Sequence, residues 1–306
     1  MIAALRRMAD GLYGAPLVLL SFTALFWGGN AVAGRLAVDH ISPLLLTSLR
    51  WGLVLIVLWP LYGGEVRAAW PQVRPRLMSI ALVAFLGFTA FNVLFYYGAR
   101  YTSAINIGIL QGSVPVFVFA GAFLVHGVKA TLLQLVGVLI TLAGVVVVAT
   151  RGDMRSILEL DLNRGDLAML AACLFYAFYT VWLRNRPKMS GAAFFTLLAL
   201  IAALTSVPLL LIEAMTTGFA MPTARGWAIT AYVAIFPSCL AQLFFLRGVD
   251  LIGPGRAGVF VNLVPVFAAA LGVALIGEPF AIFHAVALVL VVGGIWLAQQ
   301  SAIKQT

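Results

Sequence analysis

The 306 residues are 63% hydrophobic and 9% charged, where a soluble domain carries about a quarter of its residues as charges. Too little polar surface remains to clothe a water-soluble core, and repeated runs of about 20 apolar residues are each long enough to cross a bilayer. The net charge of +9 does not mark a nucleic-acid binder: the basic residues sit in short connections between apolar runs, where they report topology.

Taken in order, the chain offers ten spans, at roughly 16–34, 43–62, 77–98, 104–125, 130–149, 166–184, 191–213, 227–247, 257–276 and 280–299. Arg6, Arg7 and the run from Leu17 to Phe26, followed by Ala31-Val32-Ala33, imitate a cleavable signal peptide. Leu25-Phe26-Trp27 nevertheless finds a counterpart in Leu174-Phe175-Tyr176, so the segment is expected to stay as the first spanning helix. The connections are short and rich in Gly, Pro and charge, and none has room for a soluble domain.

The second half repeats the first. Residues 108–117 read GILQGSVPVF and residues 258–267 read GVFVNLVPVF, 150 positions on, and Phe95, Gly98, Gly127 and Gly144 match Phe245, Gly248, Gly277 and Gly294 at the same offset. Pro115 and Pro265 each deprive a carbonyl one turn upstream, at Gln111 and Val261, of its amide partner. Paired interruptions in corresponding segments point to gating helices beside a transporter's binding site; two kinked packing helices are the plainer alternative. The expected organisation is an all-α membrane protein of ten transmembrane helices in two five-helix repeats, 1–150 and 151–306, around a central cavity. Five is odd, so the halves must insert with opposite orientation. With both termini cytoplasmic, that side receives 12 Lys and Arg and the other 6, Arg50 inside a span completing the 19.

No catalytic constellation is present: the sequence lacks paired carboxylates on one helix face, a phosphate loop and metal-ligand spacing, so neither an enzyme nor a bound cofactor or metal is expected. Cys173 and Cys239 lie in apolar runs and read as small buried hydrophobes. The spans carry instead neutral polar and aromatic side chains. Trp27 and Asn30 share a face of helix 1; Asn92 and Tyr96 share one on helix 3, and Asn106 and Gln111 lie on helix 4; Tyr176, Tyr179 and Thr180 follow on helix 6, Gln242 on helix 8 and Asn262 on helix 9. An amide in hydrocarbon needs a partner, so each either makes an interhelical hydrogen bond or faces a wet cavity. Their recurrence on helices 1, 3, 4 and 6, 8, 9 favours the cavity, with Trp27, Asn30, Asn92, Tyr96, Gln111, Tyr176, Tyr179, Gln242 and Asn262 as substrate-binding candidates. Arg50 either binds a substrate carboxylate, is neutralised by carbonyls or snorkels to a surface. Glu278 stands at a helix boundary as a cap or gate element. No Asp or Glu occupies mid-span, which gives no support to proton coupling. Helices 5 and 10 are aliphatic, with glycines at Gly137, Gly144, Gly293 and Gly294, and are expected to buttress or to dimerise.

FWGGNAVAGRLAV (26–38), SPLLLTSLRW (42–51), FYYGARYTSA (95–104), the two PVF sites and LIGEP (275–279) together resemble the drug/metabolite transporter superfamily, of the ten-helix EamA type. The resemblance implies inverted repeats around a cavity of helices 1, 3, 4, 6, 8 and 9, a bacterial inner-membrane location with cytoplasmic termini, and metabolite export. The aromatic interior is similar to the aromatic amino-acid exporter branch. The leading expectation is a monomeric or weakly dimeric exporter of amino acids, aromatic ones first. Exporters of other metabolites or drugs, a membrane enzyme on lipid substrates and a passive channel are the alternatives.

Overall fold

A computed structural model describes residues 14–127, 131–153, 163–216, 218, 220–252, 257–258 and 260–303. Arg6, Arg7, Lys129, Arg155, Arg256 and Lys304, which enter the charge count, lie outside the described residues. Among the described residues the chain forms helices and no strands. The helices are α1 (Pro16–Leu36), α2 (Pro43–Ala68), α3 (Trp70–Gly98), α4 (Ala104–His126), α5 (Leu132–Ala149), α6 (Arg164–Asn185), α7 (Gly191–Thr216), α8 (Ala224–Ile252), α9 (Phe260–Ile276) and α10 (Ile282–Ile303). The first 8 are long and apolar enough to cross a membrane, and Phe260–Ile276 and Ile282–Ala298 are shorter apolar helices.

Their ends follow from local chemistry. Pro16 and Pro43 occupy first-turn positions, where a missing N–H costs nothing. Ser42, Ser103, Asn163 and Thr223 each accept a first-turn backbone N–H, and Thr131 with Gln134 forms a reciprocal capping box. Gly127 and Gly277 close α4 and α9 with φ of 63° and 65°, a left-handed turn that glycine adopts without Cβ strain.

Four helices depart from regular winding. The expected kinks at Pro115 and Pro265 are outright restarts. The first part of α4 ends at Gln111 and a new segment begins at Val114, with Pro115 in its first turn; in α9 a tight turn over Phe260–Leu263 precedes Val264–Ile276. The other two departures are not among the expected interruptions. Wide, π-type turns interrupt α3 at Phe85–Ala90 and α8 at Ala234–Leu240, the second containing Pro237. Such turns are common at functional sites.

The halves of the sequence interleave. α5 packs along α10, α2 along α7, α1 against α8 and α9, α4 against α9, and α6 against α3 and α4. Both apolar clusters of the core draw on residues from each half. Small residues permit the closest crossings, as expected where lipid supplies no hydrophobic drive between helices. A Cβ on Gly108 would lie 2.3 Å from the Cβ of Ala268, and one on Gly28 only 2.8 Å from the Ala268 nitrogen, so α4 and α1 meet α9 at the same point. The glycines of α5 and α10 are used within the chain, on each other: a Cβ on Gly294 would lie 2.6 Å from the Gly137 carbonyl oxygen and 2.5 Å from Thr141 Oγ1, whereas one on Gly293 would meet nothing within 4 Å. Gly294→Ala should therefore overpack this seam and lower stability by about 1–3 kcal/mol. Gly293→Ala should be neutral or slightly stabilising. Thermal unfolding of the two purified variants in detergent checks the contrast.

Candidate functional site

Between the helices lies a cavity of about 480 Å³, within the range of small-molecule sites. Its wall draws on nine helices, every one but α5: Trp27 and Asn30 of α1, Arg50 and Trp51 of α2, Asn92 of α3, Gln111 and Pro115 of α4, Tyr176 and Tyr179 of α6, Phe194 and Phe195 of α7, Gln242 of α8, Asn262 and Pro265 of α9, and Ile295 of α10. The structure thus brings together eight of the nine candidate binding residues and both prolines. The exception is Tyr96, buried to 2% exposure behind the wall, where it acts as a support. α2, which is not among the six helices expected around the cavity, contributes Arg50 and Trp51.

The cavity reaches the end of the bundle where α6 meets α7 and α8 meets α9, since Leu183, Arg186, Gly191, Val249 and Gly258 also line it. The other end is packed shut. There the Glu278 carboxylate accepts hydrogen bonds from the backbone N–H groups of Ala104 (2.7 Å) and Ile105 (3.0 Å), so it caps α4 from the α9–α10 corner. The position suits a carboxylate because a helix N-terminus presents unpaired N–H groups and a positive dipole end. Arg35 of α1 donates to the Ala99 carbonyl (3.0 Å) at the same end.

Arg50 decides the electrostatics. Burial leaves it 6% exposed, and it does not snorkel. Its Nε donates to Ser238 Oγ (2.6 Å), and one terminal nitrogen donates to both Asn92 Oδ1 (2.6 Å) and the Tyr96 hydroxyl (2.7 Å). The acceptors are held in turn. Tyr96 donates onward to Asn30 Oδ1 (3.1 Å), Asn92 Nδ2 donates to the Phe88 carbonyl and Ser238 Oγ donates to the Val233 carbonyl. The two wide turns take part, because Phe88 lies in one, while Val233 precedes the other by one residue. Val233 is four residues before Pro237, which has no N–H to return to it. The indole N–H of Trp27 likewise donates to the Pro237 carbonyl (3.1 Å). Aromatic rings complete the wall. Tyr176 contacts Tyr179 and Phe91 at 5.4 and 5.3 Å between centroids, and Phe88 meets Tyr179 edge-on at 4.9 Å, within the range of favourable aromatic pairs.

Sequence reasoning missed Ser238 and Trp51. Ser238 carries a faint signal, a hydroxyl directly after a mid-span proline. Asn106, grouped with the polar set, lies outside the cavity in a separate buried cluster. Its Nδ2 donates to Thr102 Oγ1 (3.1 Å), and Thr102 donates to Asp166. His284 accepts the Ala281 N–H at Nδ1, so its Nε2 carries the proton towards Asn106 Oδ1 (3.2 Å). Asp166 stands in the first turn of α6 with 1% exposure. Cys173 and Cys239 are buried free thiols, and no group of three or more metal-ligating side chains occurs among the described residues.

Residues 14–150 match the EamA-like transporter family, and residues 163–299 match it a second time. The chain is 27% identical over 286 residues to the uncharacterized transporter YetK of Bacillus subtilis, covering 93% of this chain and 86% of the relative. It is 25% identical over 279 residues to the uncharacterized inner membrane transporter YedA of Escherichia coli K12, covering 87% and 83%. A solved crystal structure superposes with a TM-score of 0.64 at 20% identity, covering 94% of this chain and 97% of the other, which shows a shared fold.

The division between wall and support is testable by stability. Tyr96→Phe removes one acceptor of Arg50 and one donor to Asn30 and should cost about 1–3 kcal/mol. Gln242→Ala, on the cavity wall, should change stability by less than about 0.5 kcal/mol. Melting temperatures of the purified variants provide the comparison.

Proposed function

The chain belongs to the EamA-like transporter family, and from that premise we propose that it is a secondary transporter exporting small metabolites, aromatic amino acids foremost, by alternating access through the central cavity. The observation that carries the reading is a cavity of about 480 Å³, walled by aromatic rings and amides, open at one end of the bundle and packed at the other. A planar side chain would stack on Tyr176, Tyr179 and Trp27. Gln111 and Gln242 would meet the polar end. Gln242 makes no hydrogen bond among the described residues, and Gln111 makes only a long 3.5 Å contact to the Ile107 carbonyl, so both are available to a ligand.

In this reading the protein is a multi-pass resident of the bacterial inner membrane with both termini cytoplasmic, as the Lys and Arg distribution favours. Five crossings per repeat then invert the second half relative to the first. The α6–α7 and α8–α9 corners face the cytoplasm, and the conformation is inward-facing. To open outward, Glu278 must release the N-terminus of α4, while the second segments of α4 and α9 swing about their restarts at Pro115 and Pro265. No Asp or Glu is among the residues lining the cavity, which supports transport down the substrate gradient without proton coupling. Export of other small metabolites or drugs is the second reading, favoured by the largely apolar wall.

Proteoliposomes preloaded with unlabelled phenylalanine should take up labelled phenylalanine by exchange, at a rate unchanged by an imposed pH gradient. Tyr176→Ala should raise KM about 2–10-fold, the loss of one stacking partner. Absence of exchange would remove the aromatic substrate, and a rate set by the pH gradient would remove the uncoupled mechanism.

A further inference from the structure

Arg50 is a buried cation whose hydrogen-bond partners among the described residues are all neutral: a serine hydroxyl, a side-chain amide oxygen and a phenol. A guanidinium taken out of water loses hydration that neutral acceptors only partly restore, and a buried charge ordinarily acquires a counter-charge. None is supplied. The cavity lining contains two arginines, Arg50 inside and the exposed Arg186 at the mouth, and no Asp or Glu. Arg50 is also held in position. Three neutral acceptors fix two of its nitrogens, and its Cζ lies 5.1 Å from the centroid of the Trp51 ring, in cation–π range. Its other terminal nitrogen donates no hydrogen bond among the described residues. A second donor sits beside it: Trp51 also lines the cavity, is 2% exposed, and its indole N–H is buried with no acceptor.

Unused donors around a fixed cation, in a cavity free of acids, describe an incomplete anion site. We propose that Arg50, assisted by the Trp51 indole N–H, is the anion anchor of the cavity, and that the transported species is a carboxylate whose ammonium group, where it has one, is dispensable. The inference rests on the cavity being the substrate site. A carboxylate accepts from the free terminal nitrogen of Arg50 and from the Trp51 indole N–H, and it supplies the missing counter-charge, so charge is buried as a pair. An ammonium would find only amide and hydroxyl oxygens and the field of a nearby cation. The apolar and aromatic remainder of the wall receives the body of the molecule. This narrows the proposed substrates from zwitterions in general to monocarboxylates with an apolar body, amino acids being the subset in which the amine is tolerated.

The test uses ligands of matched shape on the purified full-length protein in detergent, with affinity read by calorimetry. The aromatic set is 3-phenylpropionate, phenylalanine, 3-phenylpropanamide and phenethylamine; the aliphatic set is 4-methylpentanoate, leucine, 4-methylpentanamide and isoamylamine. Within at least one set the carboxylate should bind as well as or better than the amino acid, and the amide and amine at least roughly tenfold more weakly, the effect expected for losing a charge-assisted contact. Arg50→Gln should abolish the preference of carboxylate over amide, Arg50→Lys should keep it at reduced affinity, and Trp51→Phe should weaken carboxylate binding several-fold without touching the Arg50 hydrogen bonds. The ligand series on the unaltered protein decides the matter even if an Arg50 variant fails to fold. Binding confined to the aliphatic carboxylate would discard the aromatic preference and keep the anchor. Amine or amide binding equal to that of the carboxylate, or no carboxylate binding in either set, would overturn it.

Discussion

One buried guanidinium sets the terms for the rest of the molecule. Placing Arg50 of α2 among apolar helices requires acceptors for its nitrogens, and these come from two other helices, Asn92 and Tyr96 of α3 and Ser238 of α8, while Tyr96 donates onward to Asn30 of α1. A charge in low dielectric strengthens every hydrogen bond it makes and makes every lost one expensive. These four helices are therefore registered against one another more tightly than apolar side chains could register them. The same network forms part of the cavity wall, so scaffold and candidate site share one set of atoms.

The backbone is prepared to serve that network. An uninterrupted helix uses its carbonyls internally; the irregular turns release some. Asn92 is anchored on the carbonyl of Phe88 inside the wide turn of α3, and Ser238 on the carbonyl of Val233, whose usual donor is absent because residue 237 is proline. Trp27 takes the carbonyl of Pro237 itself. The restarts of α4 and α9 line the same cavity through Pro115 and Pro265. Irregular backbone at this depth is tolerated where protein or a cavity surrounds it, not lipid, and in α3, α4, α8 and α9 it lies at the cavity.

Around this centre the two halves of the chain are laced together. Each of the extensive seams, α5 with α10 and α2 with α7, pairs helices from different halves. The glycines that make the α5–α10 approach possible are consumed by it. At the packed end, the Glu278 carboxylate joins the corner before α10 to the first turn of α4, a polar link across the two halves that must break if that end is to open.

The sequence alone determined the number and order of the helices, because an apolar run of sufficient length has one stable state in a bilayer, and the caps at Ser42, Ser103, Thr131 and Gly277 are local chemistry. It determined the internal repeat and the pairing of Pro115 with Pro265. It also marked most of the polar side chains that line the cavity, since amides such as Asn30, Gln111 and Gln242 are too costly to face lipid. Which way each side chain points was decided only by tertiary structure. In lipid the outside of a helix is as apolar as its packed face, so periodicity carries little information about rotation around the helix axis. That is why Tyr96 was indistinguishable from the wall residues although it stands behind them, why Asn106 belongs to a separate cluster with Asp166 and His284, and why the four-helix network around Arg50 was invisible: its partners lie 42 to 188 residues away in the chain, and only packing brings them within reach.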